Sequence, residues 1–106
     1  MTIIKIALTN GNQFMFESKG HCSHDVCVGI SALANTLVQY AEDYGREHEQ
    51  VTTYTKLYES GNVLLEAELP TNDFYAQFVS ETKALMLGFE LYEANYPNDI
   101  KIIWDR

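Results

Sequence analysis

The sequence predicts an α+β domain, a two-layer sandwich in which two helices pack on one face of a mostly antiparallel five-stranded sheet. Two pairs of short strand patterns are each followed by a long helical pattern, and a last short strand completes the order ββαββαβ. The 106 residues suit one domain over positions 1–106. With 46% hydrophobic and 12% aromatic residues, the chain can build one core and is not of the disordered class.

The first two strands are predicted from β-branched and alternating residues on either side of a turn. Thr2–Leu8 is apolar and β-branched, and Gln13–Glu17 alternates two phenylalanines with polar neighbours. Asn10 and Gly11 tolerate the positive φ angle that a tight hairpin turn needs. These features predict an N-terminal β-hairpin.

The first helix is predicted over about Val26–Tyr44, after a polar loop that starts at Ser18. Asp25 is the expected N-cap, with Ser23 as the alternative, and Gly45 stands where a glycine commonly ends a helix. Apolar residues recur every three or four positions and predict one buried stripe, formed by Val26, Ile30, Leu33, Leu37, Val38 and Ala41.

The second half of the chain repeats the strand–strand–helix order and adds a strand. Gln50–Tyr58 and Val63–Leu69 are predicted as strands, Asp73–Asn95 as the second helix and Ile100–Trp104 as the last strand. Because neither helix can bury its apolar side alone, both are expected on the same sheet face. The other face is then uncovered, and its pairing with a second copy predicts a homodimer.

The net charge of −8 excludes some partners. A protein that binds a nucleic-acid backbone concentrates Lys and Arg, so no direct nucleic-acid binding is expected. The first apolar stretch, Ile3–Leu8, is short and contains Lys5, unlike a signal peptide, and no run reaches the ~18–20 apolar residues of a membrane span. We therefore predict a cytoplasmic protein with no membrane partner, whose acidity suits a cationic partner.

Four residues with reactive or basic side chains cluster around the start of the first predicted helix: His21, Cys22, His24 and Cys27. Cys27 falls in the first helical turn, where unpaired N–H groups and the positive end of the helix dipole favour a thiolate. His21 or His24, on the preceding loop, can accept the thiol proton and later protonate a leaving amine. Ser31 lies one turn further along the same helix face.

Other interpretations of this segment stay open. Cysteine near a helix start is often a buried packing residue. His21, Cys22, His24 and Cys27 are also the ligand types of a zinc site, although the familiar paired spacings are absent. A disulfide between Cys22 and Cys27 can form under oxidation but is not expected as a structural bond in the cytosol. We expect no metal and no cofactor.

Several short motifs, in a fixed order, resemble the ribosomal-processing cysteine protease family, the Prp peptidases. Ala84–Phe89, Ala94–Pro97 and Ile100–Ile102 are similar to the closing helix and strand of that family. The motifs at the start of the first helix are Gly20-His21, Val26-Cys27 and Ser31-Ala32-Leu33.

The resemblance implies a cysteine endopeptidase with a Cys/His dyad, in which Cys27 is the nucleophile and His21 the base. Ser31 stands at a serine of the family, and we expect Gly20, His24 and Ser31 to contact the substrate. Family members remove an N-terminal extension from a bacterial large-subunit ribosomal protein and are dimeric. The implied partner is therefore a peptide segment of a basic, ribosomal-type protein.

Two features depart from the family pattern. Only five residues separate His21 from Cys27, fewer than the family usually has, and His24 stands where the family has an aspartate, with Asp25 displaced by one position. The alternative hypothesis is therefore a catalytically impaired or phage-type member that acts as a peptide- or protein-binding module.

Overall fold

The computed structural model describes residues 1–9 and 12–105 and contains the predicted elements in the predicted order. The fold class is confirmed, while Asn10 and Gly11, the predicted turn, lie outside the described residues. The elements are β1 (Thr2–Thr9), β2 (Gln13–Gly20), α1 (His24–Glu47), β3 (Thr52–Leu57), β4 (Val63–Glu68), α2 (Asn72–Asn95) and β5 (Ile100–Asp105).

The strands form one sheet in the order β3-β4-β2-β1-β5. Every neighbouring pair is antiparallel except β1 and β5, which are parallel. Since α2 connects β4 to β5, it must cross over β2 and β1 to reach the far edge. Phe16 lies opposite Ile6 on one side and Leu65 on the other, and this register directs the large apolar residues of the central strands to one face.

The core lies between that face and the two helices. Phe14 and Phe16 of β2 are buried and contact α2 through Phe78 and Phe89, with ring centroids 5.0 Å and 5.2 Å apart. Each tilted pair adds a favourable ring contact to the area that it buries. Leu37 at the middle of α1 is also fully buried. Among the described residues, no helix is long and apolar enough to span a membrane.

The two helices pack antiparallel with a constant register. A Cβ atom on Gly29 would overlap the Tyr92 hydroxyl, and one on Gly88 would touch the end of Leu33 at 3.0 Å. Further along, the Tyr40 hydroxyl donates to Glu81 of α2, and the Tyr44 hydroxyl donates to Gln77 Oε1 at 2.7 Å. The two glycines therefore allow close helix packing at the end of the pair where α1 begins.

Three local predictions are corrected. β2 continues to Gly20, because Ser18 and Lys19 pair with β1 instead of starting a loop. α1 begins at His24, with Ser23 rather than Asp25 at the N-cap. Gly45 does not end α1: the helix continues to Glu47, and a Cβ on Gly45 would lie 2.9 Å from Thr53 Oγ1, so this glycine allows α1 to approach β3.

The close helix contact gives a stability prediction. We expect Gly29→Ala to lower the free energy of unfolding by about 1–3 kcal/mol, because the new methyl group overlaps the Tyr92 ring. Gly88→Ala is the matched control, since its methyl group meets only the flexible end of Leu33 while alanine favours the helix by up to ~1 kcal/mol. Urea unfolding measures both.

The double variant Gly29→Ala/Tyr92→Ala tests whether the loss of stability comes from overlap of the new methyl group with Tyr92. It should lose less stability than the sum of the two single variants, because removal of the ring removes the overlap. Additive losses, or equal losses for Gly29→Ala and Gly88→Ala, would contradict this account of the helix contact.

Candidate active site at the start of helix α1

The segment before α1 starts from Gly20, at the end of β2. Its φ angle is +101°, and a Cβ there would overlap the Met1 carbonyl oxygen, so only glycine fits without strain. The Gly20 N–H donates to Asn62 Oδ1 at 3.2 Å, which ties this point to the turn between β3 and β4. The backbone of Gly20, the residue before His21, is therefore fixed by Met1 and Asn62.

Asp99 holds the N-cap of α1 from the other end of the sequence. Its two carboxylate oxygens accept from the Ser23 N–H and the Ser23 hydroxyl, both at 3.3 Å, and its carbonyl accepts from the Thr2 N–H at 2.8 Å. Ser23 makes no side-chain cap bond of its own. A carboxylate at this end of a helix also interacts favourably with the helix dipole. Asp99 thus fixes where α1 begins, relative to β1 and β5.

Cys27 occupies the fourth position of α1. Its N–H donates to the Ser23 carbonyl at 2.8 Å, which is the first hydrogen bond of the helix. The N–H groups of His24, Asp25 and Val26 precede Cys27. They have no carbonyl acceptor within the helix, because the helix has no earlier turn. The Cys27 side chain is partly exposed. The site therefore combines an accessible thiol with backbone donors at the positive end of a helix.

The thiol of Cys27 is near enough to the thiol of Cys22 to raise its pKa. With Ser23 as N-cap, Cys22 and Cys27 hold the two positions whose side chains meet in a hydrophobic staple and set the direction from which the chain enters a helix. Cys22 is partly buried and packs on the core. The alternative interpretation of a packing cysteine is therefore supported for Cys22.

Burial is the main cause that raises the pKa of Cys22, and the neighbouring Cys27 and Asp99 raise it further. The Thr2 hydroxyl, which is buried and has no hydrogen-bond partner within residues 1–9 and 12–105, acts in the opposite direction because it stabilises the Cys22 thiolate. The balance keeps Cys22 a neutral thiol over a wider pH range than an exposed cysteine.

His21 and His24 are both exposed. Within residues 1–9 and 12–105, neither imidazole forms a hydrogen bond or ion pair with another residue. The structure thus brings Cys27 to Cys22, while the predicted contact between His21 and Cys27 stays a prediction. In the same ranges, no group of three or more His, Cys, Asp and Glu side chains is placed to hold a metal ion, so the zinc alternative gains no geometric support.

Ser31 lies at a groove that begins one helical turn beyond Cys27. The groove encloses about 220 Å³ between α1 and the β3–β4 hairpin. From α1 it is lined by Ser31 and Asn35, and from the hairpin by Leu57, Tyr58 and Asn62. Asn62 also binds Gly20, so the groove and the segment that carries His21 share one residue.

Sequence reasoning identified the cysteines and histidines but missed Asp99, Thr2 and Asn62. Asp99 and Ser23 are 76 positions apart, and Gly20 and Asn62 are 42 apart. No local pattern marks such contacts. The Cys22–Cys27 contact could have been found, because it follows from the choice of Ser23 as N-cap.

The sequence matches no protein-family model, and a comparison with curated proteins gave no match. Solved structures do match. The ribosomal processing protease Prp from S. aureus, in complex with a covalently linked product peptide, has a TM-score of 0.68 at 13% identity over 99% of this chain and 100% of that chain. The same protease with a substrate peptide gives 0.65 at 12% identity, again over 99% and 100%.

SMU.848 from Streptococcus mutans has a TM-score of 0.70 at 18% identity, over 99% of this chain and 94% of that chain. At these identities the comparisons establish the fold. The chain has the fold of the Prp protease over 99% of its length, and the resemblance deduced from the sequence motifs is confirmed at that level.

The anchoring role of Asp99 can be tested by its removal. We expect Asp99→Ala to lower the free energy of unfolding by about 0.5–2 kcal/mol, because Ser23, the N-cap residue, then loses both of its hydrogen bonds to Asp99. Asn98→Ala is the control, since that neighbouring side chain is exposed and makes no such bond. Equal stability of the two variants in urea would show that Asp99 does not anchor α1.

Proposed function

We propose that the protein is a cysteine endopeptidase of the Prp type, with Cys27 as nucleophile and His21 as base. The observation that carries the proposal is the place of Cys27, partly exposed among backbone donors at the start of a helix that Asp99 anchors. The full-length likeness to a protease solved with a covalently linked product peptide supports it.

In the proposed mechanism the Cys27 thiolate attacks the scissile carbonyl carbon. The negative charge that develops on the carbonyl oxygen is stabilised by backbone N–H groups of His24, Asp25 and Val26. His21 takes the thiol proton and gives it to the leaving amine, and water then hydrolyses the thioester and frees Cys27. His21 is exposed on a short segment, so substrate binding must bring its imidazole to the sulfur.

The proposed substrate is a peptide segment of a basic protein in the cytoplasm. The groove beside Ser31 would hold substrate residues next to the scissile bond. Gly20 and His24, which lie outside the groove lining, would contact the substrate nearer to Cys27. Since the chain carries a net charge of −8, a basic, ribosomal-type substrate would be attracted to it, and added salt would weaken that attraction.

A second candidate function is a peptide-binding module without catalysis. It is favoured by one observation: neither His21 nor His24 has a hydrogen-bond or ion-pair partner in the described chain. The two candidates differ in turnover, because a binding module retains its peptide uncut while the peptidase releases two products.

The peptidase assignment predicts distinct effects of three single substitutions. We expect Cys27→Ala to abolish cleavage of basic peptides, and His21→Ala to slow it about 10²- to 10⁴-fold, because the base is lost. Cys22→Ala is the matched control and should still cleave, since Cys22 has no chemical step. Mass spectrometry of the peptide products measures all three, and cleavage that survives Cys27→Ala would rule out the proposed nucleophile.

We also propose that the chain forms a homodimer through the sheet face that carries no helix. The pairing register of the strands places charges of opposite sign at opposite ends of this face. Four lysines and one glutamate lie in the rows at one end, at Lys5, Lys19, Lys56, Lys101 and Glu17, and three acids lie in the rows at the other end, at Glu66, Glu68 and Asp105. A second copy packed face to face with its strands reversed would bring each basic end onto an acidic end.

Charge reversal tests this dimer. We expect Lys5→Glu/Lys19→Glu to weaken dimerisation at low salt, because like charges then face each other, and the further changes Glu66→Lys/Glu68→Lys to restore it. Lys83→Glu on α2 is the control, since it lies off this face. Sedimentation analysis measures the dimer fraction, and a wild-type chain that stays monomeric at all concentrations would refute the proposal.

A further inference from the structure

We propose that Cys22 and Cys27 together form a redox modification site, in which a hydroperoxide oxidises Cys27 and Cys22 then closes a reversible disulfide with it. The loss of activity that follows from this bond rests on the proposed function, because it requires Cys27 to be the nucleophile. Formation of the bond does not depend on that function.

The contact between the two thiols makes the bond geometrically accessible. Cys22 precedes the N-cap Ser23 and Cys27 is the fourth residue of the helix, and side chains at these two positions lie side by side in a hydrophobic staple. A disulfide joins Cβ atoms that are about 3.8 Å apart, so two side chains in contact reach it with small rotations. Both thiols are partly exposed, which admits a small oxidant and a reductant.

The surroundings give the two sulfurs different roles. Cys27 lies in the first turn of α1, where its partly exposed thiol can meet a peroxide. Cys22 packs on the core, and burial keeps it protonated by raising its pKa. The Thr2 hydroxyl acts against these effects, because it stabilises the Cys22 thiolate and lowers the pKa. Cys27 is therefore oxidised first, and Cys22 resolves the product.

The chemistry balances in two steps. The Cys27 thiolate attacks one oxygen of hydrogen peroxide, the O–O bond breaks, and sulfenic acid and hydroxide form. The Cys22 sulfur then attacks the Cys27 sulfur, the S–S bond forms and the S–O bond breaks, and the oxygen leaves as water with the Cys22 proton. Cys27 loses two electrons to the peroxide in the first step, and a thiol reductant later returns them.

Anchoring of the segment from Cys22 to Cys27 favours formation of the disulfide over further oxidation of the Cys27 sulfenic acid. Ser23, next to Cys22, is held by both oxygens of Asp99, and Cys27 is held by its helical hydrogen bond to Ser23. The resolving thiol is thus kept beside the sulfenic acid. Since a sulfinic acid is not restored by thiol reductants, rapid closure preserves Cys27 in a recoverable form.

The test treats the purified full chain with hydrogen peroxide, blocks remaining thiols with iodoacetamide and measures intact mass, with peptide mapping to locate the change. The wild type should lose two hydrogen atoms, bind no iodoacetamide and regain both thiols in dithiothreitol. Cys22→Ser, first shown to unfold like the wild type in urea, should instead accumulate sulfinic acid on Cys27, about tenfold more than the wild type, and stay oxidised in dithiothreitol.

The outcomes separate this proposal from the proposed function. Sulfinic acid on Cys27 of the wild type with no internal disulfide, or a disulfide only between chains, would overturn the redox site. If the internal disulfide forms and neither the oxidised nor the reduced chain cleaves peptides, the redox site stands and the peptidase assignment fails. If the reduced chain cleaves and the oxidised chain does not, both stand.

Discussion

The close antiparallel packing of α1 on α2 is the contact on which the rest of the structure depends. Gly29 and Gly88 let the helices approach where α1 begins, and Phe78 and Phe89 fasten α2 to the sheet below. The position of α1 along the sheet is thereby fixed, and its first turn comes next to Asp99, at the start of β5. A helix that slid by one turn would lose this carboxylate from its N-cap.

In the first turn of α1, the structural role of the two cysteines and the proposed chemistry involve the same side chains. The contact between Cys22 and Cys27 stabilises the entry to the helix, and it also places a second thiol beside the proposed nucleophile. Both side chains are partly exposed, but Cys22 packs on the core and has a raised pKa. In the proposed redox site, Cys22 is therefore unreactive until Cys27 is oxidised.

The sequence was sufficient to predict the element order, since hydrophobic periods of two and of three to four residues distinguish strands from helices. Its errors at Asp25 and Gly45 share a cause: local preferences at helix ends yielded to long-range contacts, with Asp99 in place of a side-chain cap and Thr53 beside Gly45. The residues of the candidate site could be selected by type and spacing. The residues that anchor the site could not be selected in this way, because Asp99 and Asn62 are far in sequence from the residues that they bind.

The central claim is that Cys27 forms a covalent bond to the substrate carbonyl. A peptide ester with a basic sequence, mixed with the protein and quenched in acid, allows a thioester to be located by intact mass and peptide mapping. We predict one acyl group per chain, on Cys27, which disappears when the acid-quenched sample is treated with hydroxylamine. An acyl group on Cys22 instead, or turnover with no acylated cysteine at any time point, would contradict the account.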